Sequence, residues 1–229
     1  MESTRLLRSD WEFIEQVVID GSDQAAALEN AETCKSQLRV NYIEQPPKGI
    51  SDAFNQGVKS ATYKWVWFLN GGDQLNPELS LPFFHSFLMQ VTADILIFQI
   101  KLMQKGSEIP FPSIDKCFPP VVPWIPHPAT IIRKEIFSKH GLFDEKYKIA
   151  MDYELWIRVY SSKVVMNMVS IPLTLFDETG ISHVQPAMVN YEGMMVLKKY
   201  RMQLFKRWLN SGRSILKQFT RFKRSAHGN

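Results

Sequence analysis

The chain has 229 residues, of which 45% are hydrophobic and 22% are charged. This length and composition predict a soluble globular protein with one α/β domain, with or without an appendage. The net charge of +4 is uneven, because residues 1–192 carry 17 Lys and Arg against 23 Asp and Glu, and the other ten basic residues follow. This distribution, without a standard binding motif, argues against a nucleic-acid binder.

The cysteine content and the apolar runs indicate the compartment. Cys34 and Cys117 stand alone in unrelated contexts, so neither a disulfide framework nor a cysteine metal cluster is predicted. No apolar run approaches the roughly 20 residues that span a bilayer, and no secretory signal is recognised. We therefore expect a reducing, cytoplasmic location.

Strand and helix patterns alternate at the start of the chain. An apolar strand is predicted from Phe13 to Asp20, followed by a helix from Gln24 to Gln37. A short strand from Arg39 to Glu44 precedes an amphipathic helix from Ile50 to Ala61. This order is typical of a doubly wound α/β sheet.

The stretch from Trp65 to Asp73 is the predicted centre of that sheet. Its aromatic and branched residues indicate a strand buried on both faces, which Asn70-Gly71-Gly72 ends. Asp73 follows at the carboxyl end of the strand, where ligands bind in open α/β sheets. This carboxylate could meet a metal ion or a sugar hydroxyl, or it could cap the next helix.

The second half of the chain is predicted to hold further strands and helices around one long loop. Pro77 suits the first turn of a helix to Gln90, and residues 101–126, with six prolines, form the loop. The other predicted elements are the strands Ala93–Ile100, Pro128–Ile132 and Lys163–Ile171, and the helices Lys134–His140, Ile149–Tyr160 and Pro186–Leu209.

Three segments resemble, in order and spacing, the family 2 glycosyltransferases of the GT-A fold. The first runs from Val17 to Asp23, and the second from Lys48 to Asp73. The third combines His127-Pro128-Ala129-Thr130, Gly141-Leu142-Phe143-Asp144-Glu145 and Met151-Asp152-Tyr153-Glu154-Leu155-Trp156-Ile157-Arg158. The resemblance implies an α/β fold: a GT-A-like doubly wound mixed sheet with flanking helices and a C-terminal helical, basic extension. It divides the chain into a catalytic domain, residues 1–185, and a C-terminal helix with a basic tail, residues 186–229.

The resemblance also implies an activity. Such enzymes move a sugar from a nucleoside-diphosphate sugar to an acceptor hydroxyl, here with inversion, in surface or exported polysaccharide assembly. Asp152 matches the carboxylate that removes the acceptor proton; the alternative is an ordinary carboxylate at a helix N-terminus. A divalent metal, Mg or Mn, would neutralise the leaving diphosphate, and Asp73 is the matching ligand. The usual metal motif has two carboxylates, so phosphate oxygens must complete the coordination here.

Further residues match the donor and acceptor sides of the family's cleft, and each has a structural alternative. Asp20, Gly21 and Ser22 match the turn that contacts the nucleoside, although Asp20 could simply cap that turn. Lys48 could pair with phosphate or be a solvated lysine. The remaining donor-side candidates are Asp52, Asn55 and Asn70; core-edge hydrogen bonding is the alternative for Asp52 and Asn55. On the acceptor side the candidates are His127 and Trp156; the alternatives are a structural histidine with satisfied hydrogen bonds and a core tryptophan.

The start of the chain departs from the family pattern. The family's usual first strand has no counterpart before Phe13, so we expect a truncated or misjudged start. We also expect exposed apolar surface from Phe13 to Ile19, with poor stability or weak donor binding as a result. This departure and the single metal carboxylate favour a second function, a non-catalytic binding or scaffold protein, whereas the retention of Asp152 disfavours it.

The basic tail suggests a location for the acceptor. From Leu204 to Phe222, apolar and aromatic residues recur at helical spacing among Lys and Arg, which suits an anionic membrane surface. Each basic residue near such a surface contributes about 1 kcal/mol. We predict peripheral binding of residues 204–224 at the inner face of the membrane, with a glycan or lipid-linked acceptor. Packing on the acidic domain is the alternative for this segment and the prediction for residues 186–203.

Overall fold

The computed structural model describes residues 13–35, 39–44, 48–103, 108–109, 125–160, 162, 164–177, 185–203 and 205. A small parallel sheet comes first in the chain. Its two strands are β1 (Gln16–Asp20) and β2 (Val40–Glu44), and helix α1 (Gln24–Lys35) connects them. The predicted strand–helix–strand order is therefore confirmed, with the first strand beginning three residues later than expected.

A six-stranded mixed sheet forms the body of the molecule. Its spatial order is β3–β7–β5–β8–β4, and β6 pairs with one end of β5. Strand β7 is antiparallel to β3 and β5, and β5 is parallel to β8. The carboxyl ends of β3, β5 and β8 therefore point the same way. The strands are β3 (Trp65–Trp67), β4 (Gln74–Leu75), β5 (Ile95–Leu102), β6 (Glu108–Ile109), β7 (Thr130–Arg133) and β8 (Met166–Phe176).

Helices cover both faces of this sheet. Alternate residues of β5 enter two hydrophobic clusters: Ile95 and Ile97 belong to one, and Leu96 and Phe98 to the other. This division follows from the alternation of side chains along a strand. The helices are α2 (Ile50–Ser60), α3 (Leu81–Gln90), α4 (Lys134–His140), α5 (Met151–Tyr160) and α6 (186–203), with a short 3-10 helix at His127–Ala129. The first cluster includes residues of α2, α4, α5 and α6, and the second includes Phe84 of α3.

The prediction that Trp65 to Leu69 forms the central strand is wrong. In the described part of the chain, β3 pairs with β7 alone and lies at the edge of the six-stranded sheet. Val66 is buried, whereas Trp65 and Trp67 are half-buried. The Arg133 guanidinium lies 4.6 Å from the centre of the Trp65 ring, and the Trp67 indole donates a hydrogen bond to the Pro128 carbonyl. Aromatic rings with such polar partners suit an edge position as well as a buried one.

The helix predicted to begin near Pro77 begins instead at Leu81. Pro77 lies in a turn that Asn76 holds, because the Asn76 side chain accepts a hydrogen bond from the Glu78 amide and donates one to the Pro172 carbonyl. Asn side chains stabilise such turns in competition with helix. By contrast, α4 has the predicted bounds.

Strand β1 is half-buried over residues 16–19, and Phe13 is 57% exposed. The expected exposure of apolar surface along Phe13 to Ile19 is therefore found at Phe13, whereas residues 14–19 are half-buried. Most of the predicted loop 101–126 and of the tail 204–224 lies outside the described residues. No helix among the described residues is long and apolar enough to cross a bilayer.

Candidate functional site

Asp73 and Asp177 lie beside each other at the carboxyl end of β8. Strand β4 pairs antiparallel with the last residues of β8, which brings Asp73 beside Asp177. The Asp177 amide donates a hydrogen bond of 3.3 Å to Asp73 Oδ1. A Cβ added to Gly72 would lie 2.6 Å from Asp177 Oδ2, so glycine is needed at this position for the Asp177 side chain to approach. The sequence pattern predicted only one carboxylate here, and the fold supplies the second.

The carboxylate of Asp73 is buried and held by its own turn. The backbone and side-chain amides of Asn70 each lie 3.3 Å from Asp73 Oδ2. Burial raises the pKa of Asp73, hydrogen bonds from Asp177 and Asn70 oppose this rise, and the nearby charge of Asp177 adds to it. A divalent cation would relieve this unfavourable concentration of negative charge. The described residues contain no group of three His, Cys, Asp or Glu side chains that could hold a metal ion. Carboxylate and amide oxygens are the ligands that Mg²⁺ and Mn²⁺ prefer, so Asp73 and Asp177, with the Asn70 amide oxygen, are the candidates to bind such an ion together with oxygens of a ligand.

Asp20 ends β1 with both carboxylate oxygens engaged. Oδ1 accepts a hydrogen bond from the Ser22 amide at 2.9 Å, and Oδ2 accepts bonds from Asn30 and the Tyr42 hydroxyl, each at 2.8 Å. Burial opposes ionisation, but these hydrogen bonds prevail and lower the pKa of Asp20 to about 2. The carboxylate is therefore a fixed negative charge at the first turn, with Gly21 and Ser22 exposed beside it.

Asp152 is the second residue of α5. Its Oδ1 lies 2.6 Å from the Tyr153 amide, yet burial dominates and raises the pKa of Asp152 to about 6. A carboxylate with this pKa is ionised at neutral pH and still basic enough to accept a proton. Trp156 is four residues further along and therefore lies on the same side of α5.

The loop of residues 141–150, which joins α4 to α5, is held in place by α2. Ser51 donates a hydrogen bond of 2.6 Å to the Tyr147 carbonyl. The Asn55 side chain accepts from the Phe143 amide at 2.9 Å, and donates to the Phe143 carbonyl and to Glu145 at 3.0 Å each. Asn55 therefore forms the hydrogen bonds at the edge of the core that were its structural alternative. Its side-chain amide contacts the loop before Asp152, and the assignment of Asn55 to the donor cleft stays a prediction.

A buried ion network fixes the other end of the same loop. Glu154 is almost fully buried and accepts hydrogen bonds from Arg158, Lys199 and Tyr200. Arg158 also donates to the carbonyls of residues 140–142. Glu154 and Arg158 both belong to the third segment that resembles the family, and these bonds give them a structural role. A buried charge is tolerated because it is paired and hydrogen-bonded in this way.

His127 and Trp156 lie together in an aromatic cluster. The His127 ring stacks on Phe54 with ring centres 4.9 Å apart, and its centre lies 6.4 Å from that of Trp156. Neither ring nitrogen of His127 nor the Trp156 indole nitrogen has a hydrogen-bond partner in the described structure. Burial lowers the pKa of His127 to about 3, so the ring is neutral. Both side chains are buried, as the structural alternatives anticipated, but His127 is not the satisfied histidine of that alternative, because neither ring nitrogen has a partner among the described residues. The acceptor-side roles of both residues stay predictions.

The other predicted donor residues differ in exposure. Lys48 is exposed, Asp52 is half-buried in the first turn of α2, and Asn70 is exposed above Asp73. Sequence reasoning missed several contributors, among them Asn30 and Tyr42 beside Asp20, and Asp177 beside Asp73. An acidic residue directly after a long strand is the signal that could have found Asp177, but the predicted strand ended at Ile171, five residues before the end of β8.

Comparison with known proteins identifies the family of the chain. A family model described as Glycosyl transferase family 2 matches residues 3–166. The chain is 28% identical over 188 residues to a Mycobacterium tuberculosis protein described as an uncharacterized glycosyltransferase, covering 77% of this chain and 68% of the relative. A Mycobacterium bovis protein named PGL/p-HBAD biosynthesis glycosyltransferase is 24% identical over 169 residues, covering 72% of this chain and 66% of the relative.

Solved structures resemble the fold. The crystal structure of S. aureus TarS 1-349 has a TM-score of 0.63 at 20% identity, covering 83% of this chain and 58% of that one. The same protein in complex with UDP has a TM-score of 0.62, also at 20% identity, covering 84% of this chain and 58% of that one. This likeness confirms the predicted GT-A-type fold, and the chain spans little more than half of that structure's length.

Proposed function

The chain belongs to glycosyl transferase family 2, and on that basis we propose that it transfers a sugar from a nucleoside-diphosphate sugar to an acceptor hydroxyl with inversion. The observation that carries the proposal is the Asp152 carboxyl, which lies inside the family match and has a pKa raised to about 6. In the proposed reaction, this carboxylate takes the proton of the acceptor hydroxyl. The acceptor oxygen then forms a bond to the anomeric carbon as the bond to the diphosphate oxygen breaks.

The leaving diphosphate would lie at the carboxyl end of β8. Asp73, Asp177 and Asn70 would hold a magnesium or manganese ion there. When bound, this ion would neutralise the charge that develops on the diphosphate. Two carboxylates and one amide leave coordination positions for phosphate oxygens, as is usual for Mg²⁺.

The nucleoside would bind at the end of β1. Asp20 is held rigidly by Ser22, Asn30 and Tyr42, and the exposed Gly21 and Ser22 extend from the same turn. Lys48 would meet a phosphate as a point charge. Because TarS, which resembles this chain in fold, was solved in complex with UDP, we place uridine diphosphate sugars first among the donors.

We also propose a glycan or lipid-linked acceptor, in surface or exported polysaccharide assembly. The support is the name of the M. bovis relative, which assigns that protein to PGL/p-HBAD biosynthesis. A cytoplasmic protein bound to an anionic membrane through residues 204–224 would reach such an acceptor. This segment lies outside the described residues, apart from residue 205.

The test measures the release of nucleoside diphosphate from a panel of uridine and guanosine diphosphate sugars with manganese. Asp152→Asn should lower turnover by about 10²–10⁴-fold while donor binding, measured by calorimetry, changes little. Glu135→Gln is the matched control, because Glu135 is an exposed carboxylate of α4 that pairs only with Lys139 among the described residues. Near-normal turnover by Asp152→Asn would contradict the proposal. Binding of uridine diphosphate without turnover of any donor would favour the non-catalytic alternative.

A further inference from the structure

Glu192 lies outside the region that the family model matches, yet it contacts the loop directly before α5, the helix that contains Asp152. It belongs to α6, and the family match ends at residue 166. The Glu192 side chain is 4% exposed. Its Oε1 accepts a hydrogen bond from the Lys148 amide, and its Oε2 accepts bonds from the amides of Ile149 and Ala150, all at 2.9 Å.

These three amides lead directly into α5, which begins at Met151. The Ala150 carbonyl accepts the first hydrogen bond of the helix, so the Ala150 amide is the first of the helix-terminal amides, which have no carbonyl partner within the helix and are usually bound by a nearby side chain. The Lys148 and Ile149 amides belong to the preceding loop. Here the cap comes from another helix, 42 to 44 positions away in the chain. A carboxylate also suits this place electrostatically, since the N-terminus of a helix carries partial positive charge.

Helix α6 also packs against α5 through contacts that do not involve Glu192. Val196, one turn further on, is fully buried in the hydrophobic cluster that contains α5. Lys199 donates to Glu154 of α5 at 2.9 Å and to Asp144 of the loop at 3.1 Å. On the opposite side, Ser51 of α2 donates to the Tyr147 carbonyl. The segment 143–150 is thus fixed between α2 and α6, and Asp152 follows it by two residues.

We propose that Glu192 is a positioning residue for glycosyl transfer, because its carboxylate fixes the backbone of residues 148–150 and so sets the direction of the Asp152 side chain. The inference rests on the proposed function of Asp152 as the base. A base must lie within hydrogen-bond reach of the acceptor proton, and a displacement of about 1 Å can cost about 10²-fold in rate. Glu192 would accordingly be a positioning residue from outside the region that the family model matches.

The experiment compares Glu192→Gln with Val196→Ala, using the nucleotide sugar that the donor panel shows to be turned over fastest. Glutamine keeps the shape of Glu192 but has a single acceptor oxygen, so at least one amide loses its partner. We expect kcat to fall about 10- to 100-fold and the donor KM to stay within about twofold. Val196→Ala removes apolar contacts of the same helix and should lower Tm without this loss of kcat. Glu192→Asp, whose carboxylate is one methylene shorter, gives the same test with the charge retained if Glu192→Gln does not fold.

The double variant Asp152→Asn/Glu192→Gln separates positioning from general stability. If Glu192 acts through Asp152, the double variant is no slower than Asp152→Asn alone. Losses that multiply would overturn the positioning role while leaving the proposed base intact, as would an equal loss of kcat in Val196→Ala. An unimpaired Asp152→Asn would instead refute the proposed function, whatever the Glu192 variants do. Hydrogen exchange at amides 148–150 should accelerate in Glu192→Gln but not in Val196→Ala, and unchanged exchange would also count against the proposal.

Discussion

Replacing Asp152 with asparagine should stabilise the folded protein at neutral pH while it removes the proposed base. Burial raises the pKa of Asp152 from 3.8 to about 6, so the ionised form is less favourable in the folded state than in the unfolded chain. A difference of about two pKa units corresponds to at most about 3 kcal/mol at pH 7.5. Because the residue is only half-buried by surface area, we expect a gain of about 1–2 kcal/mol in unfolding free energy.

The pH dependence of this gain identifies its origin. Between pH 3.8 and 6 the folded protein binds more protons at Asp152 than the unfolded chain does, so the destabilisation by Asp152 disappears as the pH falls through this range. Burial lowers the pKa of His127, so this residue destabilises the folded protein increasingly as the pH falls below 6.5. Both proteins contain His127, so its effect cancels in the difference between their unfolding free energies. Urea denaturation of the parent and of Asp152→Asn at pH 7.5 and pH 4.5 measures that difference. A gain that is equal at both pH values, or a loss at pH 7.5, would refute the reasoning.

Three further predictions concern the pH profile, the metal and the membrane. Turnover should fall about tenfold per pH unit below about pH 6, as Asp152 becomes protonated; a constant rate from pH 7 to pH 4.5 would contradict this. Asp73→Asn and Asp177→Asn should each weaken manganese binding by at least about tenfold in calorimetry, whereas parent affinity for uridine diphosphate that is the same with EDTA and with manganese would exclude the metal site. Vesicles with anionic lipid should co-sediment the full chain but not a chain that ends at Gln203, and equal binding of both would remove the role of residues 204–224.

The sequence predicted the elements best where one local pattern decided the outcome. Helix α4 has its predicted bounds, and α2 ends one residue before the predicted Ala61. The strand that begins at Trp65 was predicted at the centre of the sheet but lies at its edge. An apolar aromatic run suits a central strand and an edge strand covered by ring contacts equally well. Which neighbours a strand acquires depends on its pairing with distant residues, and no local pattern encodes that.

The predicted site was incomplete for the same physical reason. The turn of Asp20, the turn of Asp73 and the start of α5 at Asp152 each follow from short motifs. The second carboxylate near Asp73 depends on the pairing of β4 with the end of β8, which joins residues about 100 positions apart in the chain. Glu192 similarly reaches its partners only because α6 packs on the face of the sheet that holds α5.

The anomeric configuration of the first product tests the central proposal most directly. Proton NMR can follow the sugar released or transferred from an α-linked nucleotide sugar before mutarotation equilibrates the anomers. Attack by an acceptor that Asp152 deprotonates, on the face opposite the leaving diphosphate, predicts a β-configured initial product and almost none from Asp152→Asn. An initial product with the α configuration, or equal rates for the two proteins, would contradict the account.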